Sequence, residues 1–255
     1  MKVALCFNGQ PRDVKQCYKS MLNNLIIPNF IEDIFVHTWW RPEFEYFGHT
    51  VGNDTHHGTI IPKDVLKFIL YAYKPKKILI ENDLEKQFHP IESIVSAKIG
   101  LALKERLFPM FYSRKQCNII KNDYCKEHNI QYDAIIFTRF DNYIVSPIKI
   151  DKFDLTAVNT TQYLNEKTDP GRTNDVIMIS NEKNTNIFAQ LYDNLPLISS
   201  HLDYFIGETI LYKWFELNDI KFIESMNYPN DVVIYRTIQS MRNCIRGTKL
   251  DLIFL

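Results

Sequence analysis

The stretch YDAIIFTR, residues 132–139, carries the strongest strand signal of the chain. Its centre, AIIF, is a continuous apolar run, which is typical of a strand that is buried on both faces of a mostly parallel sheet. Charged and aromatic residues follow directly, at Arg139, Phe140 and Asp141, where a simple turn would suffice. The stretch therefore predicts a helix-covered sheet and, at the carboxyl end of this strand, one side of a ligand site.

The chain before this strand alternates between strand and helix. Shorter apolar runs predict strands at residues 2–7, 33–37 and 77–80. Between them, apolar residues recur at helical spacing from Val14 to Leu25, with Asp13 placed to cap the helix. Pro62 opens a second helix that ends near residue 73.

The rest of the chain continues the alternation. Helical spacing predicts helices at residues 91–106, ended by Pro109, at 111–128, at 187–195 and from Gly207 onwards. Short strands are predicted at residues 155–158, 175–179 and 220–223. Residues 38–61 lack a period and predict a long binding loop. We therefore predict one α/β domain at residues 1–225, with a mostly parallel central sheet and helices on both faces, followed by an extension at residues 226–255.

The composition is that of an ordinary globular protein. The 255 residues include 30 lysines and arginines against 30 aspartates and glutamates, so bulk charge predicts no nucleic-acid partner. Five cysteines without a CxxC pair argue against a thiolate zinc site and favour a reducing compartment. The first apolar run is too short for a signal peptide or a membrane span, so we expect a cytoplasmic protein without a transmembrane segment.

The first candidate site is the segment NGQPRD, residues 8–13, which joins a strand to a helix. Such a junction offers free backbone N–H groups and the positive end of the helix dipole, and Arg12 adds a guanidinium suited to phosphate oxygens. A plain Gly-Pro turn with a solvated arginine explains the segment equally well. The candidate ligand contacts at the strand ends are Asn8, Gln10, Arg12, Thr38, Trp39 and Arg139.

The second candidate is Asp141, close behind the central strand. A carboxylate there could hold Mg²⁺ or Mn²⁺ against a nucleotide diphosphate, because these ions prefer oxygen ligands. Alternatively, Arg139 and Asp141 pair with each other as a surface contact worth about 0 to 1 kcal/mol. The sequence leaves both interpretations open.

The long segment at residues 38–61 is rich in aromatic residues. Trp39, Trp40 and Tyr46 could stack on a base or a sugar, or they could cover the sheet as plain core. The segment also holds His49, His56 and His57. Solvation or substrate contact explains these histidines better than metal ligation, since no carboxylate has a telling spacing to them.

Three carboxylates are placed to reach a shared cleft in such a fold: Asp175, Asp203 and Glu208. A deprotonated carboxylate beside an acceptor hydroxyl is the usual general base for an inverting sugar transfer. Glu208, at a helix start, could instead only complement the helix dipole.

Four segments, in order and spacing over residues 1–225, resemble small GT-A glycosyltransferases. These are the nucleotide-diphospho-sugar transferases of bacterial surface-polysaccharide clusters and large DNA viruses. The segments are NGQPR at residues 8–12, DIFVHTW at 33–39, the pair YD at 132–133 leading to RFD at 139–141, and the pair GE at 207–208 before a helix.

The resemblance implies a Rossmann-like GT-A domain that moves a hexose or deoxyhexose from a nucleotide-diphosphate sugar to a carbohydrate acceptor. It implies that Gln10 and Arg12 contact the nucleotide or its diphosphate, and that Asp141 is the second acid of a DxD metal motif. The first acid of that motif falls at Arg139, which could neutralise the diphosphate in place of Mn²⁺ or Mg²⁺. By the same resemblance, Glu208 lies near the acceptor and Asp175 contacts the donor sugar.

Two other functions fit parts of the sequence. A sugar-phosphate nucleotidyltransferase uses a similar sheet but usually has a glycine-rich basic loop, where this chain has only Gly9 and Arg12. A non-catalytic nucleotide- or sugar-binding module would use the aromatic residues alone. The apolar end of the extension, residues 251–255, could dock on the domain, on a second subunit in a homodimer or on a membrane surface.

Overall fold

A central sheet of seven strands organises the computed structural model, which describes residues 1–41, 46–51, 54–82, 101–162, 173–202, 206–227 and 230–235. The strands are β1 (Val3–Gly9), β2 (Asp33–Trp39), β3 (Tyr46–Val51), β4 (Asp54–Ile60), β5 (Lys77–Glu81), β6 (Ala134–Thr138), β7 (Asn142–Ile144), β8 (Val158–Thr161), β9 (Ile177–Ser180), β10 (Phe222–Met226) and β11 (Val232–Ile234). The α-helices are α1 (Val14–Met21), α2 (Val65–Tyr73), α3 (Leu101–His128), α4 (Glu182–Ala189), α5 (Leu195–Ser200) and α6 (Gly207–Leu217).

The strand order of the central sheet is β10-β8-β9-β6-β1-β2-β5. β1 pairs in parallel with β2 and β6, β2 with β5, and β8 with β10. β9 pairs antiparallel with both of its neighbours, β6 and β8. The sheet is therefore mostly parallel, with one reversed strand whose start lies at the same edge as the carboxyl ends of the others.

Helices cover both faces of the sheet, and β1 shows how the sequence divides them. Val3, Leu5 and Phe7 point to one face and join the core formed with α1 and α2. Ala4 and Cys6 point to the other face and join the core formed with α3, α4 and α6. Because successive side chains of a strand alternate in direction, an uninterrupted apolar run fills both cores. The predicted α/β class, mostly parallel sheet and two helical layers are confirmed.

The first helix follows the predicted spacing but not the predicted cap. Asp13 has φ 51°, in the left-handed region, and its side chain makes no capping hydrogen bond. A capping side chain needs an extended backbone to reach the first N–H groups of the helix, so the prediction for Asp13 is wrong. The α-helix ends at Met21, and a π-helical turn, Leu22–Ile26, follows it directly.

The two helices predicted on either side of Pro109 are one helix, α3, so the predicted break is wrong. A proline inside a helix removes one hydrogen bond and strains the preceding turn. Burial of the neighbouring Phe108 and Phe111 offsets that loss, and Trp39 Nε1 donates to the Pro109 carbonyl at 3.4 Å. Residues 83–100, where the first of those helices was predicted to begin, lie outside the described part of the chain.

The segment predicted as a long loop contains a hairpin. β3 and β4 pair antiparallel, and the two residues between them in the sequence are Gly52 and Asn53. Glycine and asparagine are favoured in two-residue hairpin connections, so the sequence carries a turn signal here although it lacks a period. The side chains of residues 46–60, including Tyr46 and the three histidines, lie outside the described set.

The start of the extension pairs with the domain. β11 forms an antiparallel pair with β7, and Val232 and Val233 are buried. Residues 236–255 lie outside the described part of the chain, so the docking of the apolar end stays a prediction. None of the described helices combines the length and the apolar character needed to cross a membrane.

Two phenylalanines give a test of the core. Phe35 is fully buried against Tyr124 and Tyr132, whereas Phe30 is 89% exposed. We expect Phe35→Ala to lower the free energy of unfolding by about 3–5 kcal/mol, because it leaves a cavity in the core on the α3 face. Phe30→Ala, the matched control, should stay within about 0.5 kcal/mol of wild type in urea denaturation. Equal losses in the two variants would contradict this core.

Candidate active site

The site lies where the strand order reverses. From β1 the chain builds outward through β2 and β5 on one side, and then through β6 and the later strands on the other. In open α/β sheets the crevice beyond the carboxyl ends at such a switch point is the usual ligand site. The side chain of Asn8 joins the two strand ends at this point by donating to the Thr138 carbonyl at 3.1 Å.

Gly9 ends β1 with space beside it. Its φ is 99°, a conformation that strains any residue with a Cβ. Apart from its two neighbours in the sequence, no described residue has a heavy atom within 4 Å of the position that a Cβ would occupy. Thr38 holds the turn from the neighbouring strand by donating its hydroxyl to the Gly9 carbonyl at 2.8 Å. The loop therefore leaves room at the switch point instead of filling it with a side chain.

Asp141 lies between two arginines at this switch point. Arg139 donates from Nε to Oδ1 at 2.9 Å and from Nη2 to Oδ2 at 2.7 Å, and Arg12 Nη2 lies 3.5 Å from Oδ2. Asp141 is only 2% exposed, so this is a buried cluster and not the surface contact that the sequence left open. The predicted pairing of Arg139 with Asp141 is therefore present, but it is buried, where a charged group needs partners of opposite charge.

Arg12 has more hydrogen-bonding capacity than Asp141 uses. Its Nε is buried and has no hydrogen-bond partner among the described residues. Burial lowers the pKa of the Arg12 guanidinium, an effect that Asp141 partly offsets. Arginine remains protonated in proteins, so the group presents a charged and unsatisfied N–H at the switch point.

A third arginine, missed by the sequence analysis, belongs to the same edge. Arg114 lies on α3, is 2% exposed, and has the rings of Phe111 and Phe188 within 6 Å of its Cζ. Its Nη2 donates to the carbonyl of Asp175 at 2.7 Å and to Oδ2 at 3.2 Å. Asp175 reaches this position because β9 is reversed, so the residues that precede it lie beside the end of β6. The predicted Asp175 and the unforeseen Arg114 therefore form one buried pair.

Glu208 lies in the first turn of α6, close to that pair. A Cβ on Gly207 would lie 3.3 Å from Leu107 Cδ2, so the small residue allows α6 to start close against α3. The carbonyl of Glu208 accepts from the Thr173 backbone N–H at 3.3 Å, and its charge acts to raise the pKa of Arg114, which burial lowers overall. Asp203 lies outside the described residues, so its predicted role stays a prediction.

A buried chain of hydrogen bonds supports the Gly9 turn from behind. The Gly9 N–H donates to Ser113 Oγ at 2.7 Å, and Ser113 Oγ lies 2.7 Å from His37 Nδ1. His37 Nε2 lies 2.5 Å from Glu81 Oε2, and the Tyr112 hydroxyl donates to Glu81 Oε1 at 3.2 Å. The ends of β1, β2 and β5 are thus tied to one turn of α3.

The protonation of His37 follows from this chain. Burial lowers the pKa of His37, although the Glu81 contact opposes that shift, and the hydrogen bond from His37 lowers the pKa of Glu81. Since Ser113 Oγ accepts from Gly9, its own O–H is left to donate to Nδ1. A neutral His37 that carries its proton on Nε2 gives each donor and each acceptor of this hydrogen-bond chain a partner, and we assign that tautomer.

The other predicted ligand contacts are mostly internal. Thr38 and Trp39 are buried, and the Trp39 ring stacks on Tyr112 with centroids 5.4 Å apart, which is the core alternative for this tryptophan. Gln10 is partly exposed, and its carbonyl accepts from the Arg12 N–H at 2.9 Å. Contact of Asn8, Gln10, Thr38 or Trp39 with a ligand stays a prediction.

The residues around Asp141 do not fit a divalent cation. Mn²⁺ and Mg²⁺ need several oxygen ligands, whereas Asp141 is a single carboxylate that already pairs with the guanidinium groups of Arg12 and Arg139, whose positive charges would repel a cation. Within the described ranges, His, Cys, Asp and Glu side chains do not gather in a group of three that could hold a metal. The use of a metal stays a prediction, and we assign no step of the reaction to one.

Comparison with known proteins yields distant structural likenesses. No protein-family model matches the sequence, and no curated protein matches it. The chain is similar to the apo form of the glycosyltransferase GlyE of Streptococcus pneumoniae TIGR4, with a TM-score of 0.45 and 10% identity over 88% of this chain and 45% of that one. It is also similar to the apo form of mouse xyloside xylosyltransferase 1, with a TM-score of 0.43 and 12% identity over 87% and 83% of the two chains. The chain spans less than half the length of GlyE, and TM-scores below 0.5 carry no assignment of function.

Replacement of Ser113 tests the buried hydrogen-bond chain. Ser113→Ala leaves the Gly9 N–H and His37 Nδ1 without their partner, and each unpaired buried group costs about 1–3 kcal/mol. We expect a loss of at least about 2 kcal/mol in the free energy of unfolding, measured in urea. The exposed Ser200, whose hydroxyl bonds only the Leu197 carbonyl among the described residues, is the control, and Ser200→Ala should change stability by less than about 0.5 kcal/mol. A wild-type stability for Ser113→Ala would contradict the chain.

The assigned state of His37 predicts how stability depends on pH. Because the folded pKa lies below the ordinary value of 6.5, the unfolded chain binds a proton below that pH that the folded chain does not. Stability should therefore fall as pH drops below about 6.5, with a slope of up to about 1.4 kcal/mol per pH unit. His37→Gln should remove this part of the slope in urea titrations between pH 7.5 and 5. A stability that rises on acidification in wild type would instead indicate a protonated His37 paired with Glu81.

Proposed function

We propose that the protein is a glycosyltransferase that moves a hexose or deoxyhexose from a nucleotide-diphosphate sugar to a carbohydrate acceptor. One observation carries the proposal: guanidinium groups and carboxylates from separate elements meet at the switch point of the sheet. Arg12 and Arg139 hold Asp141 there, and Arg114 holds Asp175 beside them. Such a site combines groups that bind an anionic leaving group with groups that could accept a proton.

The donor would lie across the ends of β1 and β6. As the bond between the sugar and the diphosphate breaks, negative charge grows on the departing oxygen, and fixed guanidinium groups stabilise that charge without reorganising. Arg12 and Arg139 are held by Asp141 in one geometry before any ligand arrives. Gln10 and the space beside Gly9 would receive the nucleotide.

The acceptor would approach from the side of α6. Its hydroxyl gives a proton to the Glu208 carboxylate, its oxygen forms a bond to the anomeric carbon, and the bond from that carbon to the diphosphate oxygen breaks. Glu208 is partly exposed, so a substrate can reach it, whereas Asp141 is buried. Asp175, held by Arg114, would contact the donor sugar, and Asp203 is the alternative base.

A panel of nucleotide sugars tests the activity as a whole. Thermal shift with each nucleotide sugar, with and without Mn²⁺, identifies the donor, since a ligand that binds the folded state raises the melting temperature. Mass spectrometry then follows transfer to oligosaccharides and slow hydrolysis of the donor. Binding with neither transfer nor hydrolysis would favour a non-catalytic module, and pyrophosphate release from a nucleoside triphosphate and a sugar phosphate would favour a nucleotidyltransferase.

The role of Glu208 gives a prediction on one side chain. Glu208→Gln keeps the shape but cannot accept the proton, so transfer should slow by about 10²-fold or more while donor affinity stays within about twofold. The control is Glu216→Gln on the same helix, where the carboxylate pairs with Lys213 at the surface. Rates come from product formation, and affinities from calorimetry. A Glu208→Gln rate near that of wild type would remove Glu208 as the base.

A further inference from the structure

We propose that the switch-point cluster binds the pyrophosphate group of the donor through Arg12, Arg114 and Arg139, without a divalent cation. The inference rests on the proposed function, because pyrophosphate is the part of a nucleotide-diphosphate sugar that such a cluster would hold. In this arrangement, guanidinium groups of the chain bind the pyrophosphate in place of the metal ion that the resemblance to GT-A glycosyltransferases implies.

Unsatisfied donors point to an anion. Arg12 Nε and Arg114 Nη1 are both buried, and neither has a hydrogen-bond partner among the described residues. Buried guanidinium N–H groups are costly when they are left unpaired, and native structures rarely keep them so without a reason. Two such atoms, on arginines from β1's loop and from α3, call for acceptor oxygens from a ligand at the edge they share.

The three arginines are linked electrostatically through Arg139. Arg139 lowers the pKa of both Arg12 and Arg114, so its charge is felt by both groups. Two carboxylates are in direct contact with the three guanidinium groups, Asp141 and Asp175, which leaves one positive charge among these five groups. Asp13 and Glu208 also act on Arg12 and Arg114, and with them three positive charges face four negative ones. An anion would therefore be held by the unpaired N–H groups and not by a net positive charge.

The carboxylates hold the arginines in position but leave some of their N–H groups without a hydrogen-bond partner among the described residues. Asp141 fixes Arg139 through two parallel hydrogen bonds, and Asp175 fixes one nitrogen of Arg114 through its carbonyl and Oδ2. A planar guanidinium has five N–H donors, so a group held on one edge can still bind oxygens on another. The guanidinium groups of Arg12 and Arg139 place positive charge beside the Asp141 oxygens that a metal would need.

The test measures binding of inorganic pyrophosphate to the full chain by calorimetry at constant ionic strength. We expect binding in EDTA, with an affinity that Mn²⁺ changes by less than about threefold. Binding that appears only after Mn²⁺ or Mg²⁺ is added would overturn the inference.

Paired variants assign the site. Arg12→Gln and Arg114→Gln should each weaken pyrophosphate binding by about tenfold or more, because each removes charged donors. Lys15→Gln on α1 and Lys115→Gln on α3 each remove one positive charge close by in the sequence, from side chains that pair with Asp64 and Asp193 at the surface. These controls should bind as wild type does, and arginine variants that match them would refute the site. If Arg114→Gln fails to fold, the pyrophosphate affinity of Arg12→Gln alone decides whether the site is correct.

Asp141→Asn separates the two interpretations by the sign of its effect. If Asp141 were a metal ligand, the change would weaken binding. If it only holds two arginines, the amide of the variant keeps one oxygen that can accept from Arg139 and removes a competing negative charge. Pyrophosphate should then bind as tightly as in wild type or several-fold more tightly. A tenfold loss in a variant that keeps its fold would overturn the inference.

The proposed function and this inference fail separately. Metal-free pyrophosphate binding that depends on Arg12, in a chain that transfers no sugar from any donor, would uphold the site and refute the transferase. Sugar transfer that requires Mn²⁺ and is abolished by EDTA would uphold the transferase and refute the metal-free site.

Discussion

The parallel pairing of β1 with β6 is the constraint on which the site depends. Residues about 130 apart in sequence lie side by side along these strands, and their carboxyl ends place the loops after Gly9 and after Thr138 next to each other. Only this pairing lets Arg12 and Arg139 share one carboxylate. A slip of register would turn the apolar side chains of β1 to the wrong helical layers, so the core and the charged cluster are fixed by the same set of hydrogen bonds.

Reversal of β9 contributes the second half of the site. A strand parallel to β6 would end at the crevice, whereas β9 begins there, so Asp175 arrives from the loop that precedes it. Arg114 meets it from the helical layer on the α3 side. The buried charges thus come from both a loop and a helix, and each is oriented by a partner before any ligand is present.

Sequence patterns predicted what local chemistry determines. Apolar runs located β1, β2, β5 and β6, and polar residues behind them indicated Arg12 and Asp141 as neighbours. The helix break predicted at Pro109 is absent, because burial of the neighbouring side chains outweighs the local effect of the proline on α3. Arg114 carried no signal, since a polar residue inside a long helix is indistinguishable from one on a solvated face until its partners are known. Ser113 did carry one, because it lies at helical spacing between the apolar residues Met110 and Cys117. His37 and Glu81 gave a weak signal in the sequence. Each lies at the end of an apolar strand run, where a buried polar group requires a hydrogen-bond partner.

Three consecutive residues of α3 reach three different parts of this edge. Tyr112 bonds Glu81, Ser113 bonds Gly9 and His37, and Arg114 bonds Asp175. Successive side chains of a helix diverge by about 100°, so one turn inserted between the strand ends and the charged cluster touches them all. Tyr112 and Ser113 also belong to one chain of hydrogen bonds through His37 and Glu81. Free-energy changes at these two positions should therefore not add in double-mutant cycles, and redesign of this turn one residue at a time will meet epistasis.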